Sequence, residues 1–266
     1  MHERNWQYRR VISGSMALSI LVFAGCGGGT KEAAKPAEKP ATQTQAPAAK
    51  PATARLAGQV VFKGEVPKSA KIQMDADPVC KKQHSTEVYT QEYIVGSGGE
   101  LANVFIYVKS GLPAQKYPVP SDTLVFDQRG CEYYPHVFGM RAGQPLAILN
   151  SDPTLHNIHA MPTQSSQFNM AMPKQGMRVT KTFEKPEVMV KIKCDVHAWM
   201  SAYAGVLDHP FFAVTGPDGR YSIGPLPPGT YELEAWHEKL GTMTASVTVG
   251  ENETKETPFT FGKPAM

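Results

Sequence analysis

The chain has 266 residues, of which 41% are hydrophobic and only four are cysteine. This length is enough for one large or two modest domains, and the low cysteine count excludes a small disulfide-dense scaffold. No apolar run approaches the roughly 20 residues needed to cross a bilayer, which excludes a polytopic membrane protein, and a formal net charge of +3 is too small to indicate nucleic-acid binding.

The first 26 residues have the anatomy of an export signal. A short basic head ends at Arg10, and a mostly apolar stretch over residues 11–24 follows it. Two small residues stand directly before Cys26, which resembles the lipobox of bacterial lipoproteins, although Phe23 occupies a position where leucine is usual. The resemblance implies that the protein is lipid-anchored through Cys26 in the bacterial cell envelope, on the periplasmic or outer-membrane face. The alternative is an uncleaved anchor, or an ordinary signal with an unrelated cysteine.

Residues 27–54 form a linker of Gly, Ala, Pro, Lys, Thr and Gln without a large apolar side chain, so we expect them to be disordered. Proline-rich sequence is extended and semi-rigid, which would hold the folded part away from a membrane surface. The first 54 residues carry seven of the 27 basic and three of the 24 acidic residues. The remaining chain, with 20 basic and 21 acidic residues, is therefore almost neutral.

From Leu56 onward the sequence predicts an all-β fold. Short alternating or β-branched runs are separated by Gly and Pro, a pattern typical of sandwiches and barrels. The only segment that favours a helix is 77–84. The clearest predicted strands cover residues 59–62, 102–108, 123–126, 146–149, 188–193 and 246–249.

The C-terminal part carries the turn signals of a small β-sandwich. Asp218 and Gly219 stand between two predicted strands, and this dipeptide is typical of a tight hairpin. A Pro-Pro-Gly turn at 227–229, followed by Thr-Tyr, opens the next strand. The pattern resembles the end of the carboxypeptidase regulatory-like, transthyretin-like sandwich.

That module also needs opening strands, which residues 210–262 do not supply. Residues 55–112 resemble its beginning, far upstream in the chain. We therefore expect one sandwich that is split between residues 55–112 and 210–262, with residues 113–209 inserted as a second domain. The alternative is two domains in series.

Two short motifs in the insert carry candidate metal ligands. The first is the block 150–159, which includes His156 and His159, and the second is the loop Cys194-Asp-Val-His197-Ala-Trp-Met200. The loop places a thiolate, an imidazole and a thioether close together. With one more histidine from a distant strand, this makes the His₂Cys set with a weak axial methionine that is typical of blue-copper electron-transfer sites. Zinc would have little use for the methionine.

The paired motifs resemble those of the cupredoxins, and the spacing of the loop matches the short ligand loop of amicyanin-type proteins. The resemblance covers residues 120–209 or so, and it implies a Greek-key β-sandwich with one type 1 copper ion. It also implies that Asn157 braces the two ligand segments through hydrogen bonds. The implied copper ligands are His156, Cys194, His197 and Met200.

Two positions near these ligands need separate treatment. His159 competes with His156, but it lies an odd number of residues further along a predicted strand and should face the other way. We expect His197 to present its outer edge to solvent as the point of electron exit. Trp199 beside it is unusual for well-known cupredoxins, so their docking surfaces are a poor guide to this protein.

The remaining cysteines, Cys80 and Cys131, most simply form a disulfide in an oxidising compartment. A second metal site using Cys131 and His136 is the alternative, although it lacks a full ligand set. We expect His136, His209 and His237 to be structural.

Four methionines lie between the two ligand motifs. They favour core filling, because methionine adapts to irregular gaps, and a surface that holds Cu(I) is the alternative. The four are Met161, Met170, Met172 and Met177.

The leading hypothesis is a membrane-tethered blue-copper protein that carries single electrons between exported redox partners, such as a c-type cytochrome or a dehydrogenase. It predicts no enzymatic activity, no nucleic-acid partner and contact with the membrane through the lipid anchor alone. One alternative is a periplasmic copper carrier or chaperone. A third hypothesis is a carbohydrate- or protein-binding surface lipoprotein with a degenerate copper site.

Overall fold

The computed structural model describes residues 51–262. The predicted export signal, Cys26 and most of the predicted linker therefore lie outside the described residues. Within the described part there is one short helix and 17 strands, which confirms the all-β class. No helix formed by these residues is long and apolar enough to cross a membrane.

The helix is a single turn, α1 (Pro78–Lys82), and lies within the predicted helical segment. Each of the six predicted strand segments coincides with or overlaps a strand. The strands are β1 (Ala54–Lys63), β2 (Phe105–Ser110), β3 (Leu124–Arg129), β4 (Glu132–Tyr134), β5 (Val137–Arg141), β6 (Leu146–Asn150), β7 (His156–Met161), β8 (Phe168–Met172), β9 (Met177–Lys181), β10 (Glu187–Lys193), β11 (Ser201–Leu207), β12 (Phe212–Val214), β13 (Arg220–Leu226), β14 (Gly229–His237), β15 (Gly241–Val249), β16 (Thr254–Glu256) and β17 (Phe259–Gly262).

Strands from both ends of the described chain build the terminal sandwich, defined as β1, β2 and β12–β17. One sheet has the order β13-β1-β16, with β17 also paired to β1, and the other has the order β12-β2-β14-β15. Along β1 the buried positions alternate with more exposed ones, as expected for a strand with one face on a core. The shared core includes Leu56, Val60, Phe62, Leu101, Ile106, Val108, Ile223, Leu233, Phe259 and Phe261.

The predicted hairpin at Asp218 and Gly219 is wrong. β12 and β13 do not pair with each other, because β12 joins β2 and β13 joins β1 in the opposite sheet. The turn therefore passes from one sheet to the other. Gly219 has a φ of +68°, and a Cβ there would lie 2.5 Å from the carbonyl oxygen of Val60. The dipeptide predicts the reversal of the chain, but it does not specify which sheet the next strand joins.

The central sandwich consists of β3–β11. Its two sheets have the orders β5-β11-β10-β7-β8 and β4-β3-β6-β9. The segment with α1 packs on this sandwich, since Met74 and Cys80 belong to its core. Other members of this core are Phe126, Tyr133, Phe138, Met140, Leu146, Ile148, Ile158, Phe183, Ile192 and Val206. The boundaries of the predicted domains stay a prediction.

A third apolar cluster joins β2 and β12 of the terminal sandwich to β5 and β11 of the central one. Gly139 and Gly205 lie side by side on β5 and β11. A Cβ at Gly139 would lie 2.3 Å from the ring of Phe212, and one at Gly205 would lie 2.3 Å from the ring of Phe105. Because neither glycine has a side chain, the rings of Phe212 and Phe105 can pack directly against the backbone of these strands.

Candidate metal centre

Two adjacent strands bring the candidate ligands together. His156 is the first residue of β7, and Cys194 directly follows β10, the strand that pairs with β7 in antiparallel register. The loop from Cys194 to Met200 closes on itself, because the Cys194 N–H donates to the Met200 carbonyl at 3.1 Å and the Met200 N–H donates to the His197 carbonyl at 2.9 Å. This closed loop places His197 opposite His156.

The nitrogen and sulfur atoms of these three side chains converge. The two Nδ1 atoms of His156 and His197 are 2.9 Å apart, and Cys194 Sγ lies 3.9 Å from His197 Nδ1. One donor atom from each of the three residues lies within 4.8 Å of the others. All three side chains are buried, and Met200 at the end of the loop is buried as well.

A carboxylate faces the outer nitrogen of each histidine. Asp152 Oδ2 lies 2.8 Å from His156 Nε2, and Asp77 Oδ2 lies 3.0 Å from His197 Nε2. Each imidazole is thus held between the centre and a carboxylate. Metal-binding histidines usually donate their second N–H to such a partner, which fixes the ring orientation and tautomer.

The expectation that His197 is exposed is wrong, since only 3% of this residue is accessible to solvent. α1 covers its outer edge, with Asp77 at the N-cap and Cys80 Sγ at 3.6 Å from Nε2. The indole of Trp199 packs beside it, with 5.0 Å between ring centroids. α1 precedes the loop by more than a hundred residues in the sequence. The residue spacing within the loop therefore could not predict that α1 buries the outer edge of His197.

Asn157 joins the two ligand segments. Its Oδ1 accepts a hydrogen bond from the Asp195 N–H at 2.6 Å and lies 3.2 Å from Cys194 Sγ. Its Nδ2 donates to Asn169 Oδ1 at 2.7 Å. The side chain therefore fixes the start of the ligand loop against β7, as bracing requires.

The electrostatics favour a thiolate at Cys194. Burial alone would raise the pKa of this thiol, but hydrogen bonds from His156 and His197 outweigh it and lower the pKa to about 5. Burial would likewise lower the pKa of His156, whereas Asp152 and the Cys194 thiolate raise it to about 9. Without a metal the site therefore holds a thiolate next to an imidazolium at neutral pH.

This donor set fits copper. Two imidazole nitrogens and a thiolate form the trigonal part of a type 1 site, and a thioether is the usual weak axial ligand. His156, His197 and Cys194 would supply the three strong ligands, and Met200 would supply the fourth. A metal would also remove the need for a proton between the two Nδ1 atoms, because metal binding displaces protons from its ligands.

Cys80 and Cys131 form a disulfide next to this centre. Cys80 belongs to a cluster with Asp77 and His197, and Cys131 belongs to one with Asp152 and His156. The alternative, a second metal site that uses Cys131 and His136, has no support among the described residues. His136 instead lies between the Ser201 carbonyl and Glu238, and both of its ring nitrogens are occupied.

The other candidates lie outside the centre. His159 is partly exposed and its Nδ1 lies 2.9 Å from Asp195 Oδ2. Met172 is fully buried in the central core, and Met177 packs against that core. His209 and His237 are buried in the described chain, away from the candidate ligands.

The sequence reasoning missed Asp77 and Asp152. Both directly precede a proline, and an aspartate before a proline is a common start of a turn or helix. Asp152 could have been found from its position four residues before His156. Asp77 offered no comparable signal, because its partner His197 is 120 residues away.

No family model matches the chain, and no curated protein matches it. Among solved structures, the chain is similar to the Cu-containing nitrite reductase NirK from Thermus scotoductus SA-01, with 21% identity and a TM-score of 0.31 over 36% of this chain. It is also similar to a purple cupredoxin from Nitrosopumilus maritimus, with 20% identity and a TM-score of 0.27 over 31% of this chain and 98% of that one.

An oxidized mutant of amicyanin has 18% identity and a TM-score of 0.29 over 38% of this chain and 97% of that one. The match to the nitrite reductase, by contrast, spans only 26% of that protein's length. Similarity at this level carries no conclusion about activity.

Proposed function

We propose that this protein is a type 1 copper protein that carries single electrons between exported redox partners. The observation that supports the proposal is the convergence of His156 Nδ1, His197 Nδ1 and Cys194 Sγ in a buried site. Copper bound by these atoms would supply one-electron chemistry between its Cu(II) and Cu(I) states. Met200 would be the axial ligand.

The protein residues contribute a rigid and dry set of ligands. Asn157 holds the ligand loop in place, and the two carboxylates orient the imidazoles. Because the side chains are already positioned, little rearrangement accompanies the uptake or loss of an electron. We therefore propose an electron carrier that transforms no substrate, with a c-type cytochrome or a dehydrogenase as the partner.

We also propose how the chain is organised in the cell envelope. Residues 1–26 would direct export and leave a lipid on Cys26, and residues 27–54 would act as a tether. Residues 113–209 would be a copper domain inserted into a regulatory-like sandwich made of 55–112 and 210–262. β1 and β2 share one apolar core with strands of residues 210–262, which supports this arrangement, whereas the segment with α1 packs on the central sandwich. If limited proteolysis released them as separate soluble fragments under nonreducing, nondenaturing conditions, the split sandwich would be excluded.

An absorption spectrum tests the copper assignment. The Cu(II)-loaded protein should have an intense visible band from charge transfer between the Cys194 thiolate and copper, and Cys194→Ser should abolish it. His159→Ala is the matched control, because His159 lies on the same strand as His156 but outside the centre. A spectrum without such a band in the wild-type protein would contradict the proposal.

Voltammetry separates an electron carrier from a copper carrier. The covered position of His197 under α1 and the disulfide beside it disfavour ready exchange of the ion. We expect a reversible one-electron wave and slow loss of copper to a chelator. Rapid loss of copper, without a reversible wave, would favour a copper carrier instead.

A further inference from the structure

Asp77 has two separate roles that use its two oxygens. Oδ1 accepts hydrogen bonds from the N–H groups of Val79 at 2.8 Å and Cys80 at 3.2 Å, and so caps α1. Oδ2 faces His197 Nε2 at 3.0 Å and accepts a hydrogen bond from the Thr154 hydroxyl at 3.2 Å. The cap and the hydroxyl fix the carboxylate, which therefore meets the imidazole in one orientation.

We infer that Asp77 is a positioning residue for the metal centre, which orients His197 and lowers the reduction potential of the bound copper. This inference rests on the proposed function. Asp77 lies 120 positions before His197 in the sequence. By this inference it nevertheless helps to set the electron-transfer properties of the site.

The orientation follows from the hydrogen-bonding capacity of the groups. A neutral imidazole carries one proton, and an ionised carboxylate can only accept a hydrogen bond. The proton of His197 must therefore sit on Nε2, opposite Asp77, which leaves the lone pair of Nδ1 directed towards His156 and Cys194. Asp152 faces His156 in the same way, so both histidines present Nδ1 to the centre.

The effect on the potential follows from charge. A carboxylate hydrogen-bonded to a ligand makes that ligand more basic, and its negative charge stabilises Cu(II) more than Cu(I). Asp77 is little exposed, with 21% of its side chain accessible, so water screens the interaction only in part. Removing the charge should favour Cu(I) and raise the potential.

Asp77→Asn removes the charge and keeps an oxygen that can cap α1. Asparagine caps helices as well as aspartate does, so its oxygen can still serve the N–H groups of Val79 and Cys80. It has no second acceptor for His197 Nε2. Asp75→Asn is the matched control, since it removes the same charge two residues away, from a side chain that is 65% exposed and paired with Lys81.

The experiment is a redox titration of the copper-loaded protein, combined with its absorption spectrum and the NMR signal of the His197 Nε2 proton in the Cu(I) form. Loss of a group that orients a metal ligand typically costs 10–100-fold in metal affinity. A tenfold loss of affinity for Cu(II), with the affinity for Cu(I) unchanged, raises the reduction potential by 59 mV. We expect at least this rise in Asp77→Asn, faster exchange of the Nε2 proton, and neither change in Asp75→Asn.

The outcomes are distinguishable. A blue wild-type protein whose potential and Nε2 proton do not change in Asp77→Asn would overturn the inference and leave the proposed function intact. A wild-type protein without the visible band would overturn the proposed function and the inference with it. Should Asp77→Asn fold poorly, Asp77→Ser keeps a capping oxygen but is too short to reach His197, and the same rise in potential is expected.

Discussion

Removal of the disulfide between Cys80 and Cys131 should both destabilise the protein and uncover the candidate metal centre. The two residues are 51 positions apart, and for a loop of this size the chain-entropy relation gives a stabilisation of about 4 kcal/mol at 25 °C. Both sulfurs are buried, so native packing adds to this effect. The double variant Cys80→Ala/Cys131→Ala should therefore lose about 4–5 kcal/mol of unfolding free energy.

The local consequence is more specific. α1 has only five residues, and a helix of this length does not persist without tertiary contacts. Without the disulfide, the segment that carries Asp77 should open more readily and expose His197. Hydrogen exchange over residues 77–82 should then be faster in the variant than in the wild-type protein. The increase should be larger there than in β10 and β11, which hold the loop from Cys194 to Met200.

Urea denaturation of the wild-type protein and the double variant measures the loss of stability, and wild-type protein in a reducing agent is an independent control for the alanine side chains. A variant with unchanged unfolding free energy and unchanged exchange over residues 77–82 would refute the reasoning. It would mean that apolar packing around α1, rather than the covalent link, holds this segment in place.

Three further predictions concern other contacts. Gly205→Ala should cost about 1–3 kcal/mol of stability through overpacking, since the new Cβ would lie 2.3 Å from the fully buried ring of Phe105, and chemical denaturation would measure it. Asn157→Ala should cost about 1–3 kcal/mol in the same assay, because the Asp195 N–H loses its acceptor. In the metal-free protein the Cys194 thiolate should persist down to a pH of about 5, its folded pKa, and thiolate absorbance in the ultraviolet, with Cys194→Ser as the blank, would follow it.

Matched variants control the first two predictions. Gly216→Ala, where the nearest atom to a new Cβ is 3.7 Å away, should change the stability by well under 1 kcal/mol. Asn169→Ala removes an exposed partner of Asn157 and should cost less than Asn157→Ala. Equal losses within either pair would contradict the role given to the Gly205–Phe105 packing or to the Asn157–Asp195 hydrogen bond.

The sign of the pH dependence follows from the two shifted groups. The pKa of Cys194 is lowered, so its contribution to stability is complete above the unfolded pKa, near 8.5, and is lost as the pH falls towards 5. The pKa of His156 is raised, so its contribution is complete below about 6.5 and is lost as the pH rises through about 9. The metal-free protein should be most stable between these limits, and a monotonic dependence on pH would contradict the pairing of the two groups.

The sequence predicted the β class well because the evidence for it is local. Alternation along β1 and the β-branched run of β10 are properties of neighbouring residues. Spacing also placed Cys194, His197 and Met200 on one loop. His156 could be joined to them because a block with Asn150, His156 and Asn157 resembles a known ligand segment.

The remaining features depend on contacts between distant parts of the chain. The Asp-Gly turn at 218 and 219 predicts a reversal, but the choice of sheet depends on which core the next strand covers. The burial of His197 depends on α1, whose position is set by the link to Cys131 and by the packing of Met74. Asp77 could not be identified as a partner of the ligand loop before that packing was known.

The most direct test of the central claim is a crystal structure of the copper-loaded protein with anomalous data collected at the copper edge. We predict one copper peak within bonding distance of His156 Nδ1, His197 Nδ1 and Cys194 Sγ, with Nε2 of each histidine still facing its aspartate. A peak among Asp77, Cys80 and His197 instead, or no peak in the buried site, would contradict the account.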